Sequence, residues 1–485
     1  MIMIQQEPQI LWKHFLAIAS VPHASGNMKA ICQHVCDLAT KCGFSPMVDE
    51  KSNVLIRIVP QPEYVLQAHL DMVPQVADGI SFDFDKDPLS CQCVEADTDG
   101  HPNCLMAQGT TLGADNGIGV AAMLALMEEA STLDADHRPS VELLFTTDEE
   151  TGMGGARGLK SDWLHAEKMI NLDTEEAGVL MTGCAGAVNI SACMKYRMDN
   201  NVPEGDQAIL LTLSGLQGGH SGMDIHLGRA NACKLMNRFL KHAVVNFEAR
   251  VSSIDCGTLR NAIPRSGKAL ITVPKEVADE IIEEVRYYQD LYRYEYQGIE
   301  PELSFVAEMT ELPNALLPEE IQDDLLNAVE AAFDGVWRWV DQAKGIVDTS
   351  SNLASLKTTT DGTAEAILLV RSMDEERKRA LASSLHSAFL LGGARVEFSA
   401  PYKAWNTPND APLVLHALEV ANSLQQELAL SKVHCGLECG VISEKYPNLQ
   451  IISIGPSIHH PHSPQESVEM ESVAQFWTLL KAIIK

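Results

Sequence analysis

The sequence contains no uninterrupted apolar run of the ~18 residues that a membrane-spanning helix requires, so no membrane span is expected. It is also poor in positive charge. Against 66 Asp and Glu stand only 36 Lys and Arg, a formal charge of −30, and such a surface repels nucleic acid and anionic membranes rather than binding them. The twelve cysteines include no paired C-x-x-C spacing of the zinc-ribbon kind, and Cys91-Gln92-Cys93 is too tight to serve as one. The first residues lack a basic stretch followed by an apolar core and a small-residue cleavage site. No signal peptide is therefore expected, and the thiols should be reduced in a cytoplasm. Low-complexity tracts and strong tandem repeats are missing too. The 485 residues, 46% hydrophobic and 21% charged, are enough for two or three domains around substantial cores.

What is present begins with Asp148-Glu149-Glu150. This triplet follows the apolar run Val141-Glu142-Leu143-Leu144-Phe145-Thr146-Thr147 and precedes Gly152. Such a run reads as a buried strand, and ligands of open α/β sheets bind outside the carboxyl ends of strands. Three carboxylates in a row repel one another unless a cation compensates. Other segments repeat the arrangement: residues 64–68 deliver His69-Leu70-Asp71, residues 168–172 deliver Asp173, and residues 449–454 deliver a loop containing His459, His460 and His462. Gly113-Ala114-Asp115-Asn116-Gly117 opens an Ala/Leu/Met-rich stretch that reads as a helix with Asp115 or Asn116 as its N-cap. Met123 and Met127 read as core.

Strand-like and helix-like runs alternate over the first ~185 residues, as βαβ units do. The glycine-rich stretch 183–187 reads as a domain junction, after which the strand-end acids cease until about residue 401. The expected fold is therefore an α/β domain with a mostly parallel sheet and flanking helices, formed by residues 1–187 and 401–485. An α+β domain, residues 188–400, interrupts it. That insertion should carry strands at 208–214, 268–273 and 365–371, and helices at 229–243, 274–291 and 375–391.

His69, Asp115, Glu150, Asp173 and His462 offer two imidazoles and three carboxylates. A dinuclear zinc-type site needs about three protein ligands per metal, one of them bridging. Nitrogen and oxygen donors without thiolate suit Zn, Mn or Co. Asp71 lies two residues beyond His69, on the same side of an extended segment, where it can orient the imidazole. One of Glu149 and Glu150 is then left for other work, and a carboxylate beside an attacking water is the usual general base.

The motifs H-L-D at 69–71, G-A-D-N-G at 113–117, D-E-E-T-G at 148–152, N-L-D at 171–173 and H-S-P at 462–464 occur in one order. Together they resemble those of the co-catalytic zinc peptidases, the clan of carboxypeptidase G, aminoacylase-1 and the carnosine-type dipeptidases. Overall length and the run G-G-H-S-G-M-D-I-H at 218–226 look most like the bacterial dipeptidases of that clan. The resemblance implies a zinc-exopeptidase-like domain with an inserted lid, and hydrolysis of unblocked dipeptides, Xaa-His included, by two divalent metal ions. Carried over residue by residue, it implies that His69 and Asp173 bind one ion, Glu150 and His462 the other, and Asp115 both, through an Asp115–Asn116 cis peptide. Glu149 becomes the general base, Asp71 the partner of His69, and His220 the lid histidine that meets the oxyanion. Asn261, Arg371 and the backbone of Gly436 are the candidates for the substrate carboxylate. The lid is implied to reach the site of its own chain or, in a homodimer, that of the partner. An N-acyl amino acid deacylase on the same scaffold is the alternative, and a catalytically silent binding protein a further one. His226, His459 and His460 read as solvated side chains, and Glu438 either meets the substrate ammonium or is structural.

Overall fold

The computed structural model describes Ile4 and residues 6–96 and 102–485. The chain forms two compact units. One takes the residues up to Cys184 together with Trp405–Lys432 and Leu437–Lys485; the other takes Ala185–Ala404 and Val433–Gly436. The short excursion 433–436 departs from the linear reading of the sequence, which assigned it to the last catalytic segment. Its anchor is a main-chain bond, Ala185 N–H to the Val433 carbonyl at 3.0 Å.

At the centre of the first unit, four strands run parallel. Tyr64–His69 lies between Val141–Thr146 and Lys168–Asn171, with Gln450–Ser453 beyond the latter. Both Tyr64–His69 and Val141–Thr146 are buried along their whole length, which is why they read as continuous apolar runs rather than alternating ones. Antiparallel strands extend the sheet, Val54–Arg57 on one side and Val179–Cys184 on the other. The register pairs His69 with Thr146, Gln67 with Asn171, and Asn171 with Ser453. Carboxyl ends of neighbouring strands therefore finish level, and whatever follows them in sequence emerges along one edge.

Helices Gln9–Ala19, Lys29–Lys41, Ala114–Ser131, Pro412–Ser423 and Met470–Ile483 contribute Trp12, Phe15, Ile31, Val35, Leu413 and Phe476 to one core. Ala114–Ser131 is buried almost throughout, Met123 and Met127 included. Its start differs from expectation. Gly113, at φ +70°, is the N-cap, while Asp115 and Asn116 sit inside with non-helical dihedrals and a cis peptide between them. Neither side chain caps the helix, because both are engaged elsewhere, as described below.

The second unit is built on an antiparallel sheet, ordered Ser304–Thr310, Asp206–Ser214, Gly267–Pro274, Arg250–Cys256, Ile346–Thr359, Thr363–Ser372, Gly186–Lys195 and Arg395–Tyr402. Its two halves join through a short pairing, Asp255 with Lys357 and Cys256 with Leu356. Four helices cover it around a separate core containing Phe239, Tyr292, Phe305 and Phe389. Helix Ala232–Phe247 begins three residues later than the apolar pattern suggests. The Asn231 side chain sets that start by accepting from the Cys233 amide at 2.9 Å, as N-cap residues do. Among the described residues no helix is long and apolar enough to cross a membrane.

Candidate metal centre

His69 ends its strand with its imidazole 1% exposed. Nδ1 lies 3.0 Å from the Asp71 carbonyl, an acceptor only, so Nδ1 carries a proton. Nε2 points the other way, 3.0 Å from Asp115 Oδ1 and 3.3 Å from Asp173 Oδ1. The second oxygen of Asp115 faces a different imidazole: Oδ2 is 3.0 Å from His462 Nε2, which is in turn 3.1 Å from Glu150 Oε1. One carboxylate thus divides its two oxygens between two imidazole–carboxylate pairs. Donor atoms of His69, Asp115 and Asp173 lie within 4.8 Å of one another, and so do those of Asp115, Glu150 and His462. His69, Glu149 and Glu150 form a third such set.

Two observations test whether cations suit this cluster. Glu150 Oε1 is buried without a hydrogen-bond partner, although His462 Nε2 is close by. A cation held by Asp115, Glu150 and His462 would satisfy that oxygen. Burial alone would lower the imidazole pKa values, yet bonding to Asp115 and Glu150 drives His462 up to about 11, and the charge of Asp173 with bonds to Asp115 raises His69 as well. Negative charge gathered around two imidazoles in this way suits a divalent metal. Depth in the site pushes the Glu150 carboxyl up to about 7 and Asp173 up to about 6. Glu149 is held well above the usual carboxylate range, first by burial and then by the neighbouring charge of Glu150.

Supporting contacts reach across the sequence. Asp71 accepts from the Glu149 amide at 3.0 Å, the Glu150 amide at 3.2 Å and the Ser25 hydroxyl at 2.8 Å. It therefore holds the acidic loop as well as lying beside His69. Burial opposes ionisation of Asp71, but its bonds with His69 and the Glu149 amide outweigh that and keep its pKa low. Asn116 Nδ2 donates to Asp173 Oδ1 at 2.6 Å. A Cβ on Gly119 would collide with Asn116 Oδ1 and with the Leu172 carbonyl, so glycine makes room for that bond. Ser25 and Gly119 do not stand out in the sequence, and Asn116 is legible there only as a motif residue and cap candidate, not as the partner of Asp173. A small or amide side chain 57 residues from its partner carries no periodic signal.

Glu438 has one oxygen engaged, while its Oε1 is buried without a hydrogen-bond partner among the described residues. It is 0% exposed, and its Oε2 accepts from Gln67 Nε2 at 2.6 Å and the Thr146 hydroxyl at 2.5 Å. His459 pairs with Glu469 at 2.6 Å, and His460 is exposed.

The second unit holds the other candidates. His220 Nδ1 accepts from the Met223 amide at 3.0 Å and the Gly222 amide at 3.3 Å. In the neutral ring the proton is then on Nε2, and Arg371 Nη2 is 3.4 Å from that atom. Arg371 is 5% exposed and meets only neutral groups, Ser221 Oγ at 3.4 Å and Tyr402 Oη at 3.2 Å. Among the described residues no carboxylate pairs with it. Nearby His434 is kept neutral, its pKa lowered to about 3 by burial and then by the Arg371 charge. Gly222 packs so tightly against the His434 carbonyl that a side chain would not fit. Asn261 is exposed, and its carbonyl accepts from the Ser221 amide at 2.7 Å. Gly436 lies in the excursion that belongs to this unit, and His226 is exposed.

Residues 65–485 match the model of peptidase family M20/M25/M40. The chain belongs to that family. It is 38% identical to the cytosol non-specific dipeptidase of Escherichia coli K12, over 99% of this chain and 98% of that one. Among solved structures, the aminoacylhistidine dipeptidase of Vibrio alginolyticus superposes with a TM-score of 0.81 at 34% identity, covering 100% of this chain and 98% of the other. A tripeptidase from Staphylococcus aureus shares the fold, with a TM-score of 0.55 at 15% identity and coverage of 98% and 97%. The family resemblance read from five short motifs is thus matched along nearly the whole chain, and the protein is a peptide hydrolase.

Proposed function

We propose that this peptidase hydrolyses unblocked dipeptides, Xaa-His among them, with two divalent metal ions bound by His69, Asp115, Glu150, Asp173 and His462. The observation that carries the reading is the division of Asp115, Oδ1 toward His69 and Oδ2 toward His462. In this reading Asp115 bridges the pair, His69 and Asp173 complete one site, and Glu150 and His462 complete the other. An imidazole and carboxylate set without thiolate favours zinc, with manganese or cobalt as substitutes. Bound, the ions would supply Lewis acidity and lower the pKa of water.

The chain's own groups do the rest. Glu149 takes the proton of the attacking water and returns it to the departing amine, as a general acid–base carboxylate does. Asp71, through the Glu149 and Glu150 amides, fixes where that carboxylate stands. His220, with its proton on Nε2, donates to the carbonyl oxygen as charge develops there. Arg371 pairs with the substrate carboxylate, with Asn261 and the backbone of Gly436 as further contacts at that end. The names of the Escherichia coli and Vibrio alginolyticus relatives support dipeptides as substrates, and that of the former a cytoplasmic location. Steady-state rates on Gly-His, Gly-Gly-His and N-acetyl-Gly-His test the proposal. Gly-His should dominate. Comparable kcat/KM on the N-acetyl compound would replace it with a deacylase, and comparable kcat/KM on all three would rule out a pocket that measures dipeptide length.

A further inference from the structure

Glu466, the fourth residue after His462, is 2% exposed and has no cation beside it among the described residues. A buried carboxylate is costly unless hydrogen bonds satisfy it. Here four do, all from consecutive main-chain amides. Oε2 accepts from Leu112 at 2.7 Å and Gly113 at 2.9 Å, while Oε1 accepts from Ala114 at 2.8 Å and Asp115 at 3.3 Å. Amides at a helix start have no acceptor within the helix, and one side chain here takes the first two of helix Ala114–Ser131 together with the two amides that precede it.

The backbone of Glu466 is itself fixed. Its amide donates to the Ser463 carbonyl at 3.0 Å, and the next residues, Ser467–Glu469, pair with Cys104–Ala107 in register. The clamp therefore joins two segments some 350 residues apart in sequence. One carries Asp115 and the other His462, and their side chains meet at 3.0 Å.

We infer that Glu466 is a positioning residue for the metal centre: by gripping the four amides 112–115 it sets Asp115 and the His462 loop against each other before any metal binds. The inference rests on the dinuclear reading above. It is distinct from a plain helix cap, since a cap would stabilise the fold without changing metal affinity.

Full-length Glu466→Gln and Glu466→Ala, stripped with chelator and titrated with Zn²⁺ against a chromogenic chelator, separate the two. Glutamine keeps the size but turns an NH₂ group toward two amide donors. Loss of a residue that supports metal ligands typically weakens binding roughly 10- to 100-fold. The expected result is a loss of that size, with kcat on Gly-His restored by excess Zn²⁺ and KM unchanged. A lowered melting temperature with a zinc competition curve superimposed on that of the wild type would overturn the inference. Should the variants not fold, hydrogen exchange on the stripped wild type decides. Amides 112–115 should stay as protected as in the zinc-loaded protein, and rapid exchange there would mean that metal, not Glu466, orders the segment. Wild-type stoichiometry in the same titration keeps the two claims apart. Fewer than two zinc ions per chain would sink the dinuclear reading, while the competition curves would still judge the clamp.

Discussion

Arg371→Met is expected to move stability and activity in opposite directions. The guanidinium is 5% exposed, its partners are two neutral hydroxyls at 3.2 to 3.4 Å, and no carboxylate among the described residues compensates its charge. Such a cation weakens the free protein, and replacing a buried charged group by an apolar one of similar length is neutral or stabilising. In a unit of about 220 residues, Ala185–Ala404, a gain of about 1 kcal/mol corresponds to a rise of ~2–4 °C in Tm. Removing one partner of a buried charge pair costs about 2–5 kcal/mol, or ~30- to ~4000-fold in kcat/KM at about 1.4 kcal/mol per decade. The assay pairs Gly-His with glycyl-histidinamide, which lacks the carboxylate. Wild-type enzyme should discriminate strongly between the two and Arg371→Met hardly at all, a non-additive cycle of the kind that contacting groups give. Equal losses on both substrates would refute the assignment of Arg371 to the substrate carboxylate. A drop in Tm with kcat/KM preserved would make it a structural residue.

Elemental analysis of Asp115→Ala should find both metals lost, whereas His462→Ala should chiefly weaken one; full activity with a single tightly bound metal would contradict the bridging role. Glu149→Gln should keep its metal and lose ~10²- to 10⁴-fold in turnover, and a loss of metal would exchange the roles of Glu149 and Glu150. In the second unit, burial raises the Asp334 carboxyl from 3.8 to about 6, against bonds from the Leu353 amide and Asn231. The folded state therefore binds this proton more tightly than the unfolded state, so the contribution of Asp334 to stability falls as pH rises between those values. The advantage of Asp334→Asn over wild type in Tm should grow from pH 4 to pH 6 and then level off. A difference that does not change with pH would show that the carboxyl titrates normally.

Much of this was legible because it is local. Val141–Thr146 and Tyr64–His69 are buried at every position and mostly apolar, so their nature as buried strands, and the acids and histidines at or just beyond their ends, can be read from adjacent residues. Helix Glu375–Leu391 matches the expected span for the same reason, with Asp374 as its cap. Where a side chain has a distant partner, local reading fails. Gly113-Ala114-Asp115-Asn116 looks like an ordinary helix entry with a polar N-cap, but Gly113 is the N-cap and Glu466 takes the amides of residues 112–115 from far along the chain. The Asp115 and Asn116 side chains face His69, His462 and Asp173 instead.

By itself the sequence determined the family, the α/β character of the segments flanking the insertion, and which residue types gather beyond the ends of the strands, because strand burial and short motifs are written in neighbouring positions. Tertiary structure alone decided which oxygen of Asp115 faces which imidazole, that Glu438 Oε2 meets Gln67 and Thr146, that no carboxylate among the described residues pairs with buried Arg371, and that Glu466 grips residues 112–115. Each of these is a contact between segments far apart in the chain. A carboxylate or guanidinium has the same symbol in a sequence whether water, a buried amide or a cation satisfies it, and only the folded packing determines which of them does.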